Sequence, residues 1–420
     1  MSQEINKKKN FNIFKSHMRG FMSYSTERSA TIKSVKIGLV YRIAQILLLS
    51  YIVGWELMHN KGYQEFDTVS SVVTTKVKGQ GFLANNLTIE TNLKEKSNEY
   101  FENLFSLKSN VEYHMLDTAD YVIPPNEYNS VFIMSNFLKT KQTQDRCPEE
   151  STKYKAICQN DSDCENLGSA ANSWNGIPTG KCIRKDNKTN IKIFSWCPVE
   201  DENDRNEDQL IRNVLNFTIF IKNDIEFKKF KKKLRNVLPY HTNSYLQTCT
   251  YHEEYDPHCP IFQLNYILSL AEPDIKEKYL MMIKGGVILI EILWNCDFDF
   301  TTKCLPKYSF RRFDTKETNT ASGFNFRFAN RYRQNNIEVR ELYKAFGLRF
   351  IINVSGLAGK FSIVPLMITI GAGIGLMSIS VIVADCVLLH CTKKKRLYQE
   401  IKELDVNSVL EKNFSNSVRL

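Results

Sequence analysis

Basic side chains next to amide and aromatic residues are the strongest candidates for chemistry in this 420-residue chain. Lys76 and Lys78 alternate in a strand-like segment, so both side chains project from the same face. Asn325 and Arg327 bring an amide and a cation close together, and Lys344 precedes a strand-like run. Converging lysines and an arginine fork would bind a polyphosphate through charge-assisted hydrogen bonds. Spacing alone does not bring these residues together, and solvated surface charges remain the simpler interpretation.

Sequence patterns typical of hydrolases and nucleotide-cleaving enzymes are missing. The chain has no G-x-S-x-G, H-E-x-x-H or G-x-x-x-x-G-K-[ST] motif. His252 and His258 flank Cys259 and could hold a metal together, although a solvated loop is the commoner context for such a pair. Residues 200–208 carry six carboxylates, which indicates a solvated loop or, as the weaker alternative, a divalent-cation site. We therefore expect no catalytic residues, no metal centre and no enzymatic activity.

Cysteine usage indicates an oxidising compartment. Nine of the eleven cysteines fall between Cys147 and Cys304, which is a dense cluster for a chain of this size. The same long segment, residues 58–360, contains five Asn-x-Ser/Thr sequons, which would be glycosylated in an extracellular domain. They begin at Asn86, Asn160, Asn187, Asn216 and Asn353.

Two segments are apolar enough to cross a membrane. Residues 361–384 contain no charge over 24 positions, which spans a bilayer with some tilt. In residues 35–57 only 43–55 are free of charge, but Lys36 and Arg42 can snorkel at one end while Tyr51 and Trp55 suit the opposite interface. A 34-residue polar segment precedes this second candidate, which argues against a cleaved signal peptide. We predict membrane helices over residues 35–57 and 361–386.

The charge distribution gives the orientation of these helices. Residues 1–34 carry seven basic and two acidic side chains, and residues 392–420 carry seven and four. Positive flanks favour the cytoplasmic side. Both termini, residues 1–34 and 387–420, are therefore expected on the cytoplasmic side of the plasma membrane. The net charge of +10 is then mostly an orientation signal, and no nucleic-acid partner is needed to explain it. Residues 58–360 are expected outside the cell.

The extracellular segment is rich in strand-forming residues. Residues 66–78, 217–221, 286–294 and 349–354 combine β-branched and aromatic side chains, as strands prefer. We expect residues 145–200 to form a disulfide-stapled, cysteine-rich lobe, and residues 85–110 to form a polar surface excursion that is partly helical. The predicted fold class is an integral membrane α+β protein, in which two transmembrane α-helices are joined by a large disulfide-bonded β-rich extracellular domain.

Eleven short blocks, in order along the chain, carry a family resemblance. They are NKGYQ (60–64), VTTKVKG (73–79), ADYVIPP (119–125), QTQDRCPE (142–149), WCPVED (196–201), NFTIFIKN (216–223), CPIF (259–262), YSFRRFD (308–314), NFRFA (325–329), KAFGLRF (344–350) and GKFSIVP (359–365). Through them, the chain resembles the ionotropic purinoceptors, which are ATP-gated cation channels with two membrane helices per subunit. The similarity extends from about residue 24 to about residue 402, with a longer excursion at 85–110 than the family usually has.

The resemblance implies that three copies assemble as a homotrimer and bind extracellular ATP between neighbouring subunits. Such a channel is non-selective and passes Na⁺, K⁺ and Ca²⁺; it needs no cofactor, although Mg²⁺ can accompany ATP. Lys76 and Lys78 would hold the phosphates, and Thr218 and Leu246 would grip the adenine, all on one subunit. The neighbouring subunit would contribute Asn325, Arg327 and Lys344 to the phosphates.

The resemblance also assigns roles to residues of the second span and of the two termini. The pore constriction would fall on Ile368, Thr369 and Ala372 of the second span. Gly371 and Gly375 are spaced for close helix packing. The terminal regulatory positions would be Thr26, Tyr398 and Lys402.

The resemblance further implies a disulfide pattern. The expected bridges are Cys147–Cys197, Cys158–Cys182, Cys249–Cys259 and Cys296–Cys304. Cys164 is left over, because its expected partner position is occupied by Ile191. An odd extracellular cysteine is either a free thiol or part of an intermolecular bridge, and a trimer favours the free thiol.

Three other functional classes remain as alternatives from the residues. A membrane-bound nucleotidase would need catalytic acids and glycine-rich phosphate loops. A cysteine-rich, membrane-anchored nucleotide-binding or adhesion receptor would have no channel activity. An acid-sensing or epithelial-type sodium channel shares the two-helix topology but not the eleven blocks.

Overall fold

A computed structural model describes residues 34–84, 112–150, 156–164, 175–185, 188–200, 209–300, 303–314, 323–392 and 396. The chain divides into two compact units, residues 1–65 with 361–420 and residues 66–360. Several predicted features lie outside the described residues, namely the excursion at 85–110, the sequons at Asn86 and Asn187, and the regulatory positions Thr26, Tyr398 and Lys402.

The helices of the described residues are as follows. They are α1 (Val35–Ser50), α2 (Thr118–Tyr121), α3 (Asn243–Thr248), α4 (Leu264–Ala271), α5 (Ile275–Lys284) and α6 (Ile363–Cys386). Helix α1 continues as a π-helical segment, Tyr51–His59, and α6 as another, Val387–Cys391.

Fourteen strands are formed by the described residues. They are β1 (Gln64–Thr68), β2 (Ser70–Lys78), β3 (Gly81–Ala84), β4 (Tyr113–Leu116), β5 (Ser130–Pro148), β6 (Ile177–Lys185), β7 (Lys188–Cys197), β8 (Thr218–Phe227), β9 (Lys232–Arg235), β10 (Ile261–Gln263), β11 (Gly286–Asp297), β12 (Lys307–Arg312), β13 (Asn325–Gln334) and β14 (Ile337–Phe361). The predicted strand at 66–78 is thus interrupted at Val69, whereas the other three predicted strands are longer than expected.

The first unit contains the two apolar helices that the sequence predicts. Within the continuous helices Val35–His59 and Ile363–Cys391, an 18-residue stretch has a mean hydropathy of 1.7 and 2.3, respectively, and both helices are long enough to cross a bilayer. The second helix begins at Ile363 rather than at 361, because Phe361 still belongs to β14 and Ser362 has extended backbone.

The two helices pack against each other at Gly373 and not at the predicted pair Gly371 and Gly375. Gly373 is buried, and a Cβ atom there would lie 3.1 Å from Cγ2 of Ile52. At Gly371 and Gly375 an added Cβ atom would have no neighbour within 4 Å, so these two glycines do not form the contact between the two helices of one chain. The absence of a side chain at Gly373 is what lets the helices approach.

The second unit is built on a large mixed sheet. Strand β14 lies at its centre, pairing with β11 in parallel and with β5, β13 and β1 on its other contacts. Strand β12 flanks β11, and β7 and β6 extend the sheet beyond β5. A smaller sheet has the order β10–β8–β2, with β9 also paired to β8, and β3 pairs with β4. Because β14 runs for 25 residues, it connects distant parts of this unit through one element.

One main apolar core lies between these strands and helices. Alternate residues of β8, including Ile219, Ile221 and Phe227, are fully buried, as expected for a strand with one solvated face. Trp294 of β11 is also fully buried, and its indole Nε1 donates to Oδ1 of Asn223 at 2.8 Å. This bond satisfies a buried polar group and ties the two sheets together.

The cysteine-rich lobe has a second, smaller core. The structure forms the four bridges that the resemblance implies, Cys147–Cys197, Cys158–Cys182, Cys249–Cys259 and Cys296–Cys304. Ile191 is 1% exposed and packs in the smaller cluster with Cys158 and Cys164. Cys164 is a free, buried thiol whose Sγ lies 3.6 Å from Sγ of Cys182. Ile191 thus fills with apolar volume the place where a bridging cysteine was expected.

Candidate phosphate-binding site

Lys76 and Lys78 form a cationic face on β2, as their alternation predicts. Both are exposed, whereas the intervening Val77 is half-buried. Strand β2 is antiparallel to β8, and the register places Lys78 opposite Thr218. Within the described residues, neither ammonium group has a hydrogen bond or ion pair with another side chain. The two cations are therefore available to an external anion.

A buried tyrosine fixes the end of the strand that carries Lys78. The hydroxyl of Tyr121 donates to the carbonyl oxygen of Gly79 at 2.8 Å, and its ring stacks on Phe217 with centroids 4.4 Å apart. Burial raises the pKa of this phenol, so it remains a donor at physiological pH. This contact limits the freedom of the backbone next to Lys78.

Of the two residues assigned to the adenine, Thr218 lies opposite Lys78 in the strand register, and Leu246 lies on a short helix. Thr218 is half-buried, and its hydroxyl is 3.5 Å from the carbonyl oxygen of Lys78. Leu246 is half-buried on α3, a helix capped by the Thr242 side chain, which accepts from the Tyr245 backbone N–H. A hydroxyl and an aliphatic side chain suit the edge and the face of a base.

Arg327 and Lys344 are brought together by a hairpin. Strands β13 and β14 are joined by Asn335 and Asn336, both with positive φ angles, and counting outward from this turn pairs Arg327 with Lys344. The same register pairs Asn325 with Phe346, so the amide lies at the far end of the hairpin.

Both cations of the hairpin contact one carboxylate, that of Glu200. Arg327 binds it with two bonds, Nε to Oε2 at 2.9 Å and Nη2 to Oε1 at 2.7 Å. Nζ of Lys344 lies 3.6 Å from the same Oε1. The Lys344 and Glu200 side chains are only 5% and 11% exposed, so this is a partly desolvated anion site that already contains an anion. A planar guanidinium that binds a carboxylate in this way can bind two phosphate oxygens equally well.

The single chain does not place all predicted phosphate ligands on one element. Lys76 and Lys78 lie on the four-stranded sheet, whereas Asn325, Arg327 and Lys344 lie on the eight-stranded sheet. Each set has its own cationic surface. This arrangement suits a site that is completed by a second copy of the chain, as the resemblance implies.

The roles of Glu200 and Tyr121 are not evident from the sequence. Glu200 begins the acidic run at 200–208, of which only Glu200 belongs to the described residues. The turn formed by Asn335 and Asn336 is a usable signal for the pairing of Arg327 with Lys344, because a two-residue hairpin turn fixes the register of its strands. No local signal connects Glu200 to that hairpin.

His252 and His258 belong to no group of three potential metal ligands among the described side chains. The described residues form two groups of three potential ligands. They are Cys158 with Cys164 and Cys182, and Asp256 with Cys249 and Cys259, and neither group includes a histidine. Three sequons that the structure describes, at Asn160, Asn216 and Asn353, have exposed asparagines, as glycosylation requires.

The residues assigned to the pore occupy two faces of α6. Ile368 is 66% exposed and Ala372 is also exposed, one helical turn apart. Thr369 is half-buried, and its hydroxyl donates to the carbonyl oxygen of Gly62 at 2.8 Å. Ile368 and Ala372 are thus available to a partner helix, whereas Thr369 is engaged within its own chain.

The sequence matches known proteins over nearly its whole length. The family model described as ATP P2X receptor matches residues 22–404. P2X purinoceptor 4 of Bos taurus is 40% identical over 385 residues, which cover 90% of this chain and 92% of the relative. P2X purinoceptor 5 of Homo sapiens is 38% identical over 393 residues, covering 92% and 82%, respectively.

Solved structures agree with the sequence matches. A P2X receptor from the Gulf Coast tick, crystallised with ATP and Zn²⁺, superposes with a TM-score of 0.70 at 36% identity, covering 83% of this chain and all of that one. The chicken P2X7 receptor channel with the competitive antagonist TNP-ATP gives a TM-score of 0.67 at 31% identity, covering 84% and 99%.

Proposed function

The chain belongs to the P2X receptor family and is a subunit of an ATP-gated cation channel, and we propose that extracellular ATP opens it by binding between neighbouring subunits of a homotrimer. The tick relative was crystallised with ATP and the chicken relative with a competitive nucleotide antagonist, which supports a nucleotide ligand here. The two apolar helices anchor the chain in the plasma membrane.

The contact of Arg327 and Lys344 with one carboxylate is the observation that carries the proposal. Two cations converge on a single, partly buried anion position, which is what a phosphate needs. Lys76 and Lys78 supply a second pair of cations from another subunit. Asn325 adds an amide donor, while Thr218 and Leu246 contact the adenine.

Glu200 acts in this proposal as an internal counter-ion that ATP displaces. Until ATP binds, it neutralises Arg327 and reduces the cost of keeping Lys344 almost buried. A phosphate group with more charge and more acceptor oxygens replaces it. Because both cations then turn to a ligand held partly by the neighbouring subunit, ATP binds more tightly to the conformation in which the subunit walls are close together, and the open state is favoured.

The conduction pathway is proposed to run along the second helices of the trimer. Ile368 and Ala372 line the constriction, and spreading of the helices admits Na⁺, K⁺ and Ca²⁺ without strong selection. Thr369 contributes at the same level while it stays bonded to Gly62. Both termini lie in the cytoplasm, as the positive flanks of the two spans favour.

ATP is proposed to act as a ligand and not as a substrate. ATP binds either free or with Mg²⁺, and the protein supplies positive side chains but no assigned general base. Whole-cell recordings from transfected cells, with ATP and with a non-hydrolysable analogue, test this directly. Currents with both agonists and no phosphate release are expected. A response to ATP alone, accompanied by phosphate release, would instead indicate a nucleotidase.

A further inference from the structure

A buried glutamine beside the phosphate site is bonded at both ends of its amide. Gln142 of β5 is 2% exposed. Its Oε1 accepts from Nε of Arg340 at 2.7 Å, and its Nε2 donates to the carbonyl oxygen of Pro198 at 2.6 Å. Both polar ends are satisfied, so this side chain has one defined orientation and can transmit position from one strand to another.

Arg340 is itself fixed by an aromatic ring. Its guanidinium lies 4.6 Å from the ring centroid of Trp196, and Arg331 lies 5.5 Å from the same ring. Arg340 and Gln142 are direct partners in the β14–β5 register. The cation–π contact and the hydrogen bond therefore hold Arg340 in the plane that Gln142 requires.

These contacts act on the segment that carries Glu200. The pairing of β5 with β7 ends at Thr143 and Cys197, so this ladder does not extend to the described residues 198–200. At the next residue, Pro198, the carbonyl oxygen accepts a hydrogen bond from the Gln142 amide instead. Pro198 precedes Glu200 by two positions. We propose that Gln142, Arg340 and Trp196 form a brace that positions the Glu200 carboxylate on Arg327 and thereby sets the sensitivity of the channel to ATP.

A cavity next to the brace gives Glu200 room to leave. It has a volume of about 480 Å³ and is lined by Gln142, Trp196, Glu200, Arg327 and Arg340, among others. The ligand can therefore displace the carboxylate without opening the sheet. Since the brace opposes this displacement, weakening it should make ATP more effective.

This inference rests on the proposed function and deepens it. The three brace residues are positioning residues in this proposal, because they act on ATP through Glu200. A brace that merely stabilised the fold would change ATP sensitivity in the same way whether or not Glu200 is charged. A brace that positions the carboxylate has its effect only when the carboxylate is present.

The test measures the ATP concentration for half-maximal current in charge-conserving variants. Gln142→Met removes both hydrogen bonds at similar side-chain length, and Arg340→Lys removes the planar stack. A neutral hydrogen bond contributes about fivefold in an equilibrium constant, so each variant should lower the half-maximal ATP concentration by roughly three- to tenfold. Combined with Glu200→Gln, the same substitutions should add less than about twofold.

The controls separate this inference from the proposed function. Arg333→Lys lies on β13 with an exposed side chain and should change nothing in either background. If Glu200→Gln alone leaves the ATP response unchanged, displacement of Glu200 is wrong and the brace falls with it. If Glu200→Gln shifts the response but the brace variants do not, or if they add in full to Glu200→Gln, only the brace is wrong. Surface biotinylation is measured in parallel, and Arg340→Lys decides the result if Gln142→Met does not reach the membrane.

Discussion

Arg327 binds the carboxylate of Glu200 through both Nε and Nη2, at 2.9 and 2.7 Å. The guanidinium is thus already oriented by a planar anion before a phosphate arrives. Lys344 is the partner of Arg327 in the strand register, and its Nζ lies 3.6 Å from Oε1 of Glu200, the oxygen that also accepts from Nη2 of Arg327. The proposed phosphate site is therefore preformed around an internal anion, and ATP binding in this proposal is an exchange of one anion for another.

Glu200→Gln should make the channel more sensitive to ATP, because the amide competes less well for Arg327 and Lys344. The Arg327 side chain is half-exposed, so solvent screening limits the ion pair to the order of 1 kcal/mol. This corresponds to a decrease of about two- to tenfold in the half-maximal ATP concentration.

The matched control is Glu338→Gln, which removes the partner of Arg331 in an exposed pair at 3.9 Å. It should leave the ATP response unchanged. An increase in the half-maximal ATP concentration with Glu200→Gln would mean that the carboxylate helps ATP to bind and does not compete with it.

The exposed face of α6 should be accessible from the pore only in the open state. Cysteine at Ile368 or Ala372, in a background lacking Cys386 and Cys391, should react with an extracellular thiol reagent mainly when ATP is present, and the current should then be blocked. Thr369→Cys is the comparison, because its side chain faces Gly62 of its own chain and should react more slowly. Equal reaction rates with and without ATP at Ile368 and Ala372 would place the gate elsewhere.

Cys164 should be one extracellular free thiol per subunit. It is buried, and burial together with the carboxylates of Asp161 and Asp163 raises the pKa of its thiol, so it should resist maleimide in the folded protein. Denaturation without reduction should expose it, and peptide mapping should locate the label. Cys164→Ser should abolish this label and leave ATP currents nearly unchanged. Persistent extracellular labelling of the variant, or its failure to reach the surface, would contradict the assignment.

When Cys158 is removed, the thiol of Cys164 should take its place in the bridge to Cys182. Because Sγ of Cys164 lies 3.6 Å from Sγ of Cys182, the Cys158→Ser variant should form a Cys164–Cys182 bridge and contain no free extracellular thiol. Cys147→Ser is the control, since it should leave Cys197 free. Two free thiols, at Cys164 and Cys182, in Cys158→Ser would show that the two sulfurs do not meet.

Acidification should weaken the region that carries α3, through His241. Burial lowers the pKa of this imidazole, with His258 acting in the same direction and Asp256 opposing it. The Nδ1 atom accepts from the Leu238 backbone N–H, which only the neutral ring can do. The folded state therefore favours neutral His241, and its stabilising contribution is present above the ordinary pKa of 6.5 and is lost as the pH falls through the lowered value.

This pH effect is measured by limited proteolysis or hydrogen exchange of residues 238–248 between pH 7.5 and 5. Protection should decrease with acidification in the wild type, and the decrease should be smaller in His241→Gln. An equal decrease in both proteins would show that another group is responsible.

The membrane helices and the cationic strand can be predicted from the sequence, because each depends on a local pattern. An uncharged run of 24 residues predicts a span, and the alternation of Lys76 with Lys78 predicts their common face. The predicted boundary of the second span differs by two residues from Ile363, because β14 continues to Phe361 and apolar composition alone does not separate the end of a strand from the start of a helix.

The contacts of Glu200 depend on long-range pairing and could not be deduced locally. They require β7 to lie beside β5, β5 beside β14, and β13 to fold back on β14. Only the last of these steps has a short-range signal, in the turn at Asn335 and Asn336. The packing role of Gly373 is likewise hidden in the sequence, since Gly371 and Gly375 have the same small size and only the partner Ile52 distinguishes them.

The ATP response of Lys78→Ala and Lys344→Ala tests the central claim most directly. Each substitution removes a charge-assisted hydrogen bond of about 1.5–3 kcal/mol, so the half-maximal ATP concentration should rise roughly tenfold to a hundredfold or more, with normal surface expression. Lys307→Ala, an exposed lysine of β12, serves as the control and should respond like the wild type. A near-wild-type response of both Lys78→Ala and Lys344→Ala would contradict the proposed phosphate site.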